Sequence, residues 1–521
     1  MKRITAALVC ACALTLPASA PAVDFGANDD RGKYAEDGGA GFFGQMAGAG
    51  LKQNVMTVRF LPSAPMTIPD KSFLDKAVPT ALASGITPVF AVYPYPPSEI
   101  ESGAASPAAF AAWLETVARS YPKVRTFIVG NEPNLNSFWR PQGDGAGGIL
   151  SARSFGPFLA AGYDALKGVS ADVTVLGVGL SPRGDDAPSA AGKTSPVHFL
   201  SALGDWYRAS GRTAPLMDGL SYHPYPNPSD FTVPFSFAYG WPSASVQELD
   251  RIKQALWDAF AGTAQPTTIN GLGLYLDEVG WQVDTAGQPG YEGTENVAVA
   301  SEAAQAAIYG ELVRYVVCDP DVVQVSFFGY YDERDRGAWQ SALRRADGSE
   351  RPAHAAVAAA IAATGGRCQG ATRSWSPARG VIGASVDFGS LSRPSVLTRR
   401  AWGFRATAQE DATYQAGIFR KGTSSQTIGR ALASGRASVR EVSGTIKSRF
   451  VPAVQFPAGK LSPGSYVYAI RMAAKLNADR VSVFVSKPFQ VGSGKHAKAK
   501  PKAKQTSKPK KRTKRPKRRA P

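Results

Sequence analysis

Phe-Ile-Val-Gly-Asn-Glu-Pro-Asn, residues 127–134, is a short apolar run that stops at a polar turn bearing Glu132. Leu-Tyr-Leu-Asp-Glu-Val-Gly-Trp, residues 274–281, repeats the pattern and bears Glu278. Runs of β-branched and aromatic residues of this length suit buried parallel strands, and a side chain at the end of such a strand is delivered to a ligand cleft. Outward from these two, further runs of the same kind lie at 23–27, 55–60, 87–93, 174–179, 217–222 and 322–328. With 125–130 and 273–278 they make eight. Amphipathic stretches follow most of them, among them 108–120, 155–166, 246–260 and 302–317. Eight alternations predict an α/β fold, a (β/α)8 TIM barrel over residues 23–366. A doubly wound open sheet is the alternative, but it gives no reason for acids at the ends of the fourth and seventh strands.

The rest of the 521-residue chain differs in texture and charge. Residues 23–370 hold 25 Lys+Arg against 36 Asp+Glu, residues 371–494 hold 18 against 5, and residues 495–521 hold 14 against none. The net charge of +18 therefore hides an acidic body joined to a basic module and a basic tail. Period-2 alternation at 396–408, 414–419, 465–472 and 480–485, with few helical patterns, predicts a small β-sandwich over 371–493. Residues 494–521 lack large apolar side chains and are expected to be disordered. At the other end, Lys2 and Arg3, an apolar run to Leu16 and Ala18-Ser19-Ala20 read as a signal peptide over residues 1–22. The expectation is a secreted or cell-surface protein. Export makes nucleic acid an unexpected partner for the tail, and favours anionic cell-wall polymers or membrane headgroups. Of four cysteines, Cys318 and Cys368 would remain after cleavage. A disulfide between them is permissible outside the cytosol, and two buried free thiols are the alternative.

Two carboxylates facing one another are the minimal equipment for cleaving a glycosidic bond, one as proton donor and one as nucleophile or base. Asn131-Glu132-Pro133 after the fourth strand, with Glu278 ending the seventh, resembles the retaining (β/α)8 glycoside hydrolase clan known as the 4/7 superfamily. Families 5 and 39, cellulase-like in look, are the nearest in appearance, and the resemblance covers about residues 25–365. It implies that Glu132 is the acid/base, Glu278 the nucleophile, and Asn131 a ligand of the sugar 2-hydroxyl. Arg59 in Thr-Val-Arg-Phe resembles a strand-two arginine that would bond and orient the nucleophile. His223 and Tyr225 in Ser-Tyr-His-Pro-Tyr resemble a strand-six His-x-Tyr whose hydroxyl lies near it. The clan's strand-eight tryptophan is missing from Ser-Phe-Phe-Gly-Tyr-Tyr-Asp-Glu, residues 326–333. Phe328 or Tyr330 would stack there, and Trp139 and Trp281 would add sugar-stacking surface.

A proton donor must stay protonated near neutral pH, so Glu132 is expected to have a raised pKa and Glu278 to be ionised beside Arg59. Asp277 faces the opposite side of its strand from Glu278 and reads as structural. No Cys/His group has zinc spacing and no glycine-rich phosphate loop follows a strand, so no essential metal or nucleotide cofactor is expected. The expectation is a retaining O-glycosyl hydrolase acting on β-linked poly- or oligosaccharides, of cellulose, mannan or xylan type by resemblance. Transglycosylation at the same site is one alternative. A non-catalytic, glycan-binding surface protein with a glycosidase-like barrel is the other.

Overall fold

The structure, a computed structural model, describes residues 22–226, 239–389, 402–435, 439–457 and 461–491. The expected signal peptide and the basic tail lie outside these residues.

Eight parallel strands close into a barrel in sequence order. They are β1 (Asp24–Asn28), β2 (Gln53–Phe60), β3 (Thr87–Pro94), β4 (Thr126–Val129), β5 (Thr174–Leu180), β6 (Gly219–Tyr222), β7 (Gly273–Val279) and β8 (Val322–Phe328). Closure comes from β1 against β8, with Asp24 opposite Gln324 and Asn28 opposite Phe328. That closure excludes the open sheet. The strands read as near-continuous apolar runs because both faces are covered. Val55, Val89, Ala91, Ile128 and Leu176 cluster together within the strands. Alternate residues such as Phe90, Phe127 and Val175 join the larger core shared with the helices.

The helices are set by ordinary local chemistry. Pro107–Ser120 starts with proline in its first turn, and the Ser106 side chain accepts from the Ala109 N–H. Its Phe110, Trp113, Leu114 and Val117 form the buried stripe. Glu302–Val316 is capped in the same way by Ser301. Cys318, just past that helix, is disulfide-bonded to Cys368, just past helix Pro352–Thr364. The bond ties the last two barrel helices together.

The C-terminal module is antiparallel, as expected. Its strands are β9 (Ser385–Asp387), β10 (Trp402–Thr407), β11 (Ala412–Arg420), β12 (Arg440–Ile446), β13 (Ala453–Phe456), β14 (Gly464–Ala474), β15 (Val481–Val485) and β16 (Phe489–Val491). One sheet has the order β13-β10-β9, the other β12-β11-β14-β15 with β16 also on β14. Phe404, Val454 and Phe456 of the first share a core with Ile418, Tyr468 and Ile470 of the second, which makes a sandwich. A helix the sequence reading did not foresee, Ser425–Ala433, lays Ile428 and Leu432 on Phe419, Val467 and Ala469.

The sandwich is pinned to the barrel. Arg480 pairs with Glu410 of its own module and, at 3.0 Å, with Asp258 of a barrel helix. Asn477 donates to the other oxygen of Asp258 at 2.9 Å.

Candidate active site

The two glutamates reach the C-terminal mouth of the barrel by different routes. β4 gives way to Gly130, whose φ is +116°; a Cβ there would lie 2.6 Å from the Val178 carbonyl and 2.8 Å from the Phe155 ring. No larger residue fits that turn. Glu132 itself has φ +41°, a left-handed conformation that costs a non-glycine residue energy and is concentrated at functional sites. Its N–H is held by the Gly179 carbonyl at 2.7 Å. Asn134, fully buried, fastens the turn by donating to the Ser181 and Thr194 carbonyls and accepting from the Ser181 N–H. Glu278 stands directly on β7, one residue before its end. Both side chains remain slightly open, at 14% for Glu132 and 13% for Glu278.

His223, just past β6 and 1% exposed, joins them. Its Nδ1 lies 3.1 Å from Glu132 Oε1 and 3.4 Å from Glu278 Oε2. Its Nε2 lies 3.4 Å from Asp277 Oδ2. Tyr225 donates its hydroxyl to Glu278 Oε2 at 2.9 Å. The expected association of His223 and Tyr225 with the glutamates is therefore present. Asp277 has the structural character expected, since it is buried and accepts from Ser221 at 2.7 Å. It also faces His223, and so bears on the site through that ring.

Three expectations are corrected. Arg59 does not meet Glu278. Its guanidinium lies over the Tyr95 ring at 4.7 Å, with Nε 3.4 Å from the Tyr93 hydroxyl, and the residue is exposed. The position beside the nucleophile candidate belongs instead to Asn28 at the end of β1, which donates to Glu278 Oε1 at 3.2 Å and to the Asp277 carbonyl at 3.3 Å. Trp139 and Trp281, each 2% exposed, are core residues. Trp139 packs edge-on against Phe155 and Phe158, and Trp281 against Tyr309. A ring with no free face cannot stack on a sugar.

The aromatic surface near Glu278 is built differently. Phe328, partly exposed at the end of β8, meets the Tyr225 ring edge-on at 6.0 Å. Trp339, from the loop after β8, lies 4.9 Å from Tyr225 and 5.4 Å from Phe328. Tyr330, the other candidate there, is buried against Phe42. A tryptophan thus reaches this corner from eleven residues beyond the strand, where no strand-end pattern points to it.

The electrostatics also differ from expectation. Burial opposes a charge on His223, but the Glu278 and Asp277 carboxylates outweigh it and hold the imidazole well above its usual pKa. Burial raises Glu278 to about 7, against the pull of His223 and with the help of the Glu132 charge. Glu278, expected to be ionised, is thus the carboxyl that burial holds toward its neutral form. Both carboxylates meet the same imidazole nitrogen, His223 Nδ1. One ligand atom each of Glu132, His223 and Glu278 gather within 4.8 Å of one another, close enough among the described residues to reach a single cation. Those same atoms already pair with each other.

No model of a known protein family matches the chain, and no curated protein matches it. Solved structures do. The chain is similar to a family 39 glycoside hydrolase from Bacteroides cellulosilyticus WH2, at 16% identity and TM-score 0.43, over 76% of this chain and 75% of that one. It is similar to GH5_18 from Streptomyces cattleya, at 17% identity and TM-score 0.46, over 68% of this chain and 83% of that one. It is also similar to xylanase 10B from Thermotoga maritima, at 10% identity and TM-score 0.40, over 66% of this chain and 95% of that one.

Proposed function

We propose that the chain is a retaining O-glycosyl hydrolase of β-linked oligo- or polysaccharides, with Glu278 as nucleophile and Glu132 as acid/base. One observation carries this reading: two glutamates from the ends of β4 and β7 converge on His223, with one ligand atom of each within 4.8 Å. Retention calls for carboxyl groups about 5–5.5 Å apart, whereas inversion needs about 6.5–9.5 Å to admit a water.

In the first step Glu278 attacks the anomeric carbon, the bond to the leaving oxygen breaks, and that oxygen takes the proton of Glu132. Tyr225 and Asn28 each hold one oxygen of Glu278, which fixes the angle of attack. Esterified, Glu278 loses its charge. In the second step Glu132 takes a proton from water, the water oxygen bonds to the anomeric carbon, and Glu278 is released. Asn131, at the same turn as Glu132, is proposed to bond the sugar 2-hydroxyl, an interaction that strengthens in the transition state. Phe328 and Trp339 would flank the sugar beside Glu278.

Hydrolysis of a panel of polysaccharides and aryl glycosides, with product anomers followed by NMR, tests the proposal. Retained configuration is expected. Inverted product would overturn the double displacement, and glycan binding without any turnover would favour a non-catalytic barrel.

We further propose that the protein works outside the cell, with the tail's 14 Lys+Arg held to anionic polymers. Retention that falls with salt, as the Debye length shrinks from about 10 Å at 0.1 M to about 3 Å at 1 M, is the expected sign.

A further inference from the structure

We propose that the seam between barrel and sandwich holds a second carbohydrate site, separate from the glutamates. A cavity of about 350 Å³ opens there, within the range of about 300–1,000 Å³ typical of small-molecule sites. The barrel lines it with Trp241, from the loop after β6, and Gln247, from the turn Val246–Glu248. The C-terminal part of the chain lines it with Trp375 and Gln409. Neither catalytic glutamate borders it.

The lining separates into committed and uncommitted groups. Glu248 accepts from the Tyr239 and Ser245 N–H groups, Arg251 donates to the Ser243 and Tyr239 carbonyls, and Glu410 is paired with Arg480. These three charges are spent on the fold, while the Asp250 carboxylate, 3.7 Å from Lys253 Nζ and 70% exposed, remains an acceptor in the lining. The side-chain amides of Gln247 and Gln409 and the Trp375 indole make no hydrogen bond among the described residues, and Trp375 has no aromatic neighbour there. The Trp375 indole and two free amides present flat apolar surface beside paired donors and acceptors, while the Trp241 ring, with the Arg251 guanidinium 5.9 Å from its centre, forms part of the wall. An anion would need a cation that is still available, and Arg251 is engaged. A purely apolar ligand would leave both amides unpaired at a cost. A neutral saccharide satisfies both kinds of surface: its C–H face stacks on indole and its hydroxyls pair with amides.

A glycan lodged there touches both modules at once, with one tryptophan from each side. The seam site would hold part of a longer glycan, and so matter for chains and little for short substrates.

The test uses the full chain carrying Glu278→Ala, titrated with hexasaccharides of β-1,4-glucan, β-1,4-mannan, β-1,4-xylan and chitin. Oxidation of Trp375 by N-bromosuccinimide, read by peptide mass, reports the seam directly. At least one hexasaccharide should protect Trp375. Trp375→Ala and Gln409→Ala should each weaken the binding of that hexasaccharide about tenfold. In the otherwise native protein both substitutions should leave turnover of a short aryl glycoside within about twofold. Failure of all four to protect Trp375, or unchanged affinity in Trp375→Ala protein of native melting temperature, overturns the site. Protection is read without turnover, so it stands or falls apart from the proposed hydrolysis.

Discussion

Asn28 and Glu278, 250 positions apart, are joined by a hydrogen bond of 3.2 Å from the Asn28 amide to the carboxylate. The contact reaches past β8, and exists because the first strand closes the barrel beside the last. A hydrogen bond to a charged group contributes about 1.5–3 kcal/mol, so Asn28→Ala should lower kcat/KM by about ten- to a hundredfold. Arg59, exposed and engaged with Tyr93 and Tyr95, should matter less. Steady-state kinetics of the two variants decide it: a larger loss in Arg59→Ala would restore the arginine to the nucleophile.

Glu278→Ala should abolish hydrolysis, with azide restoring part of it on an activated aryl glycoside by replacing the missing nucleophile. Glu132→Ala should spare the first step for good leaving groups, which need no proton donor, and impair it for poor ones. Equal losses on both kinds of substrate would remove Glu132 from the acid role.

The pH dependence of Glu278 follows from His223. A charged imidazolium favours the ionised form of Glu278, and an opposite charge at such distances moves a carboxyl by about 1–3 units. In His223→Gln, Glu278 should climb further above its value of about 7, and the acidic limb of kcat/KM should move to higher pH. A limb that stays in place would show that the ring does not act on Glu278.

Glu278 should also be a stability liability. Its pKa rises from 4.5 to about 7 on folding, so between those values the native state holds a proton the unfolded chain has lost. Its contribution is therefore present below pH 4.5 and is lost as the pH rises to 7. Glu278→Gln, which never ionises, should gain on the native protein by on the order of 3 kcal/mol between pH 4 and pH 8. Melting temperatures of both proteins across that range measure it.

The Cys318–Cys368 bond closes a loop with a sequence separation of 50. Chain-entropy arguments give about 4 kcal/mol for such a loop. Cys368→Ser should lower the melting temperature, and reductant should bring native protein to the same value while leaving the variant unchanged.

The barrel was legible because buried parallel strands are short apolar runs, and all eight lie within a few residues of their expected places. The glutamates, His223 and Tyr225 were legible because each lies at or just past the end of such a run. Asn28 was not: it is one polar residue followed by Asp29 and Asp30, and its role depends on which strands become neighbours. Trp139 and Trp281 misled because an indole is equally at home in a core and on a sugar, and only packing tells the two apart. The helix Ser425–Ala433 was hidden in a Ser- and Arg-rich stretch where two apolar residues, Ile428 and Leu432, make its entire buried stripe.

Arg480 sits in a clasp with one jaw in each module, Glu410 on one side and Asp258 on the other. An excised sandwich would carry a guanidinium stripped of its Asp258 partner, and an isolated barrel would bare the face around Val197 and Ala255 to water. The two units are therefore poor candidates for cassette exchange. Grafting this sandwich onto another barrel would require transplanting Asp258 and its helix surface along with it.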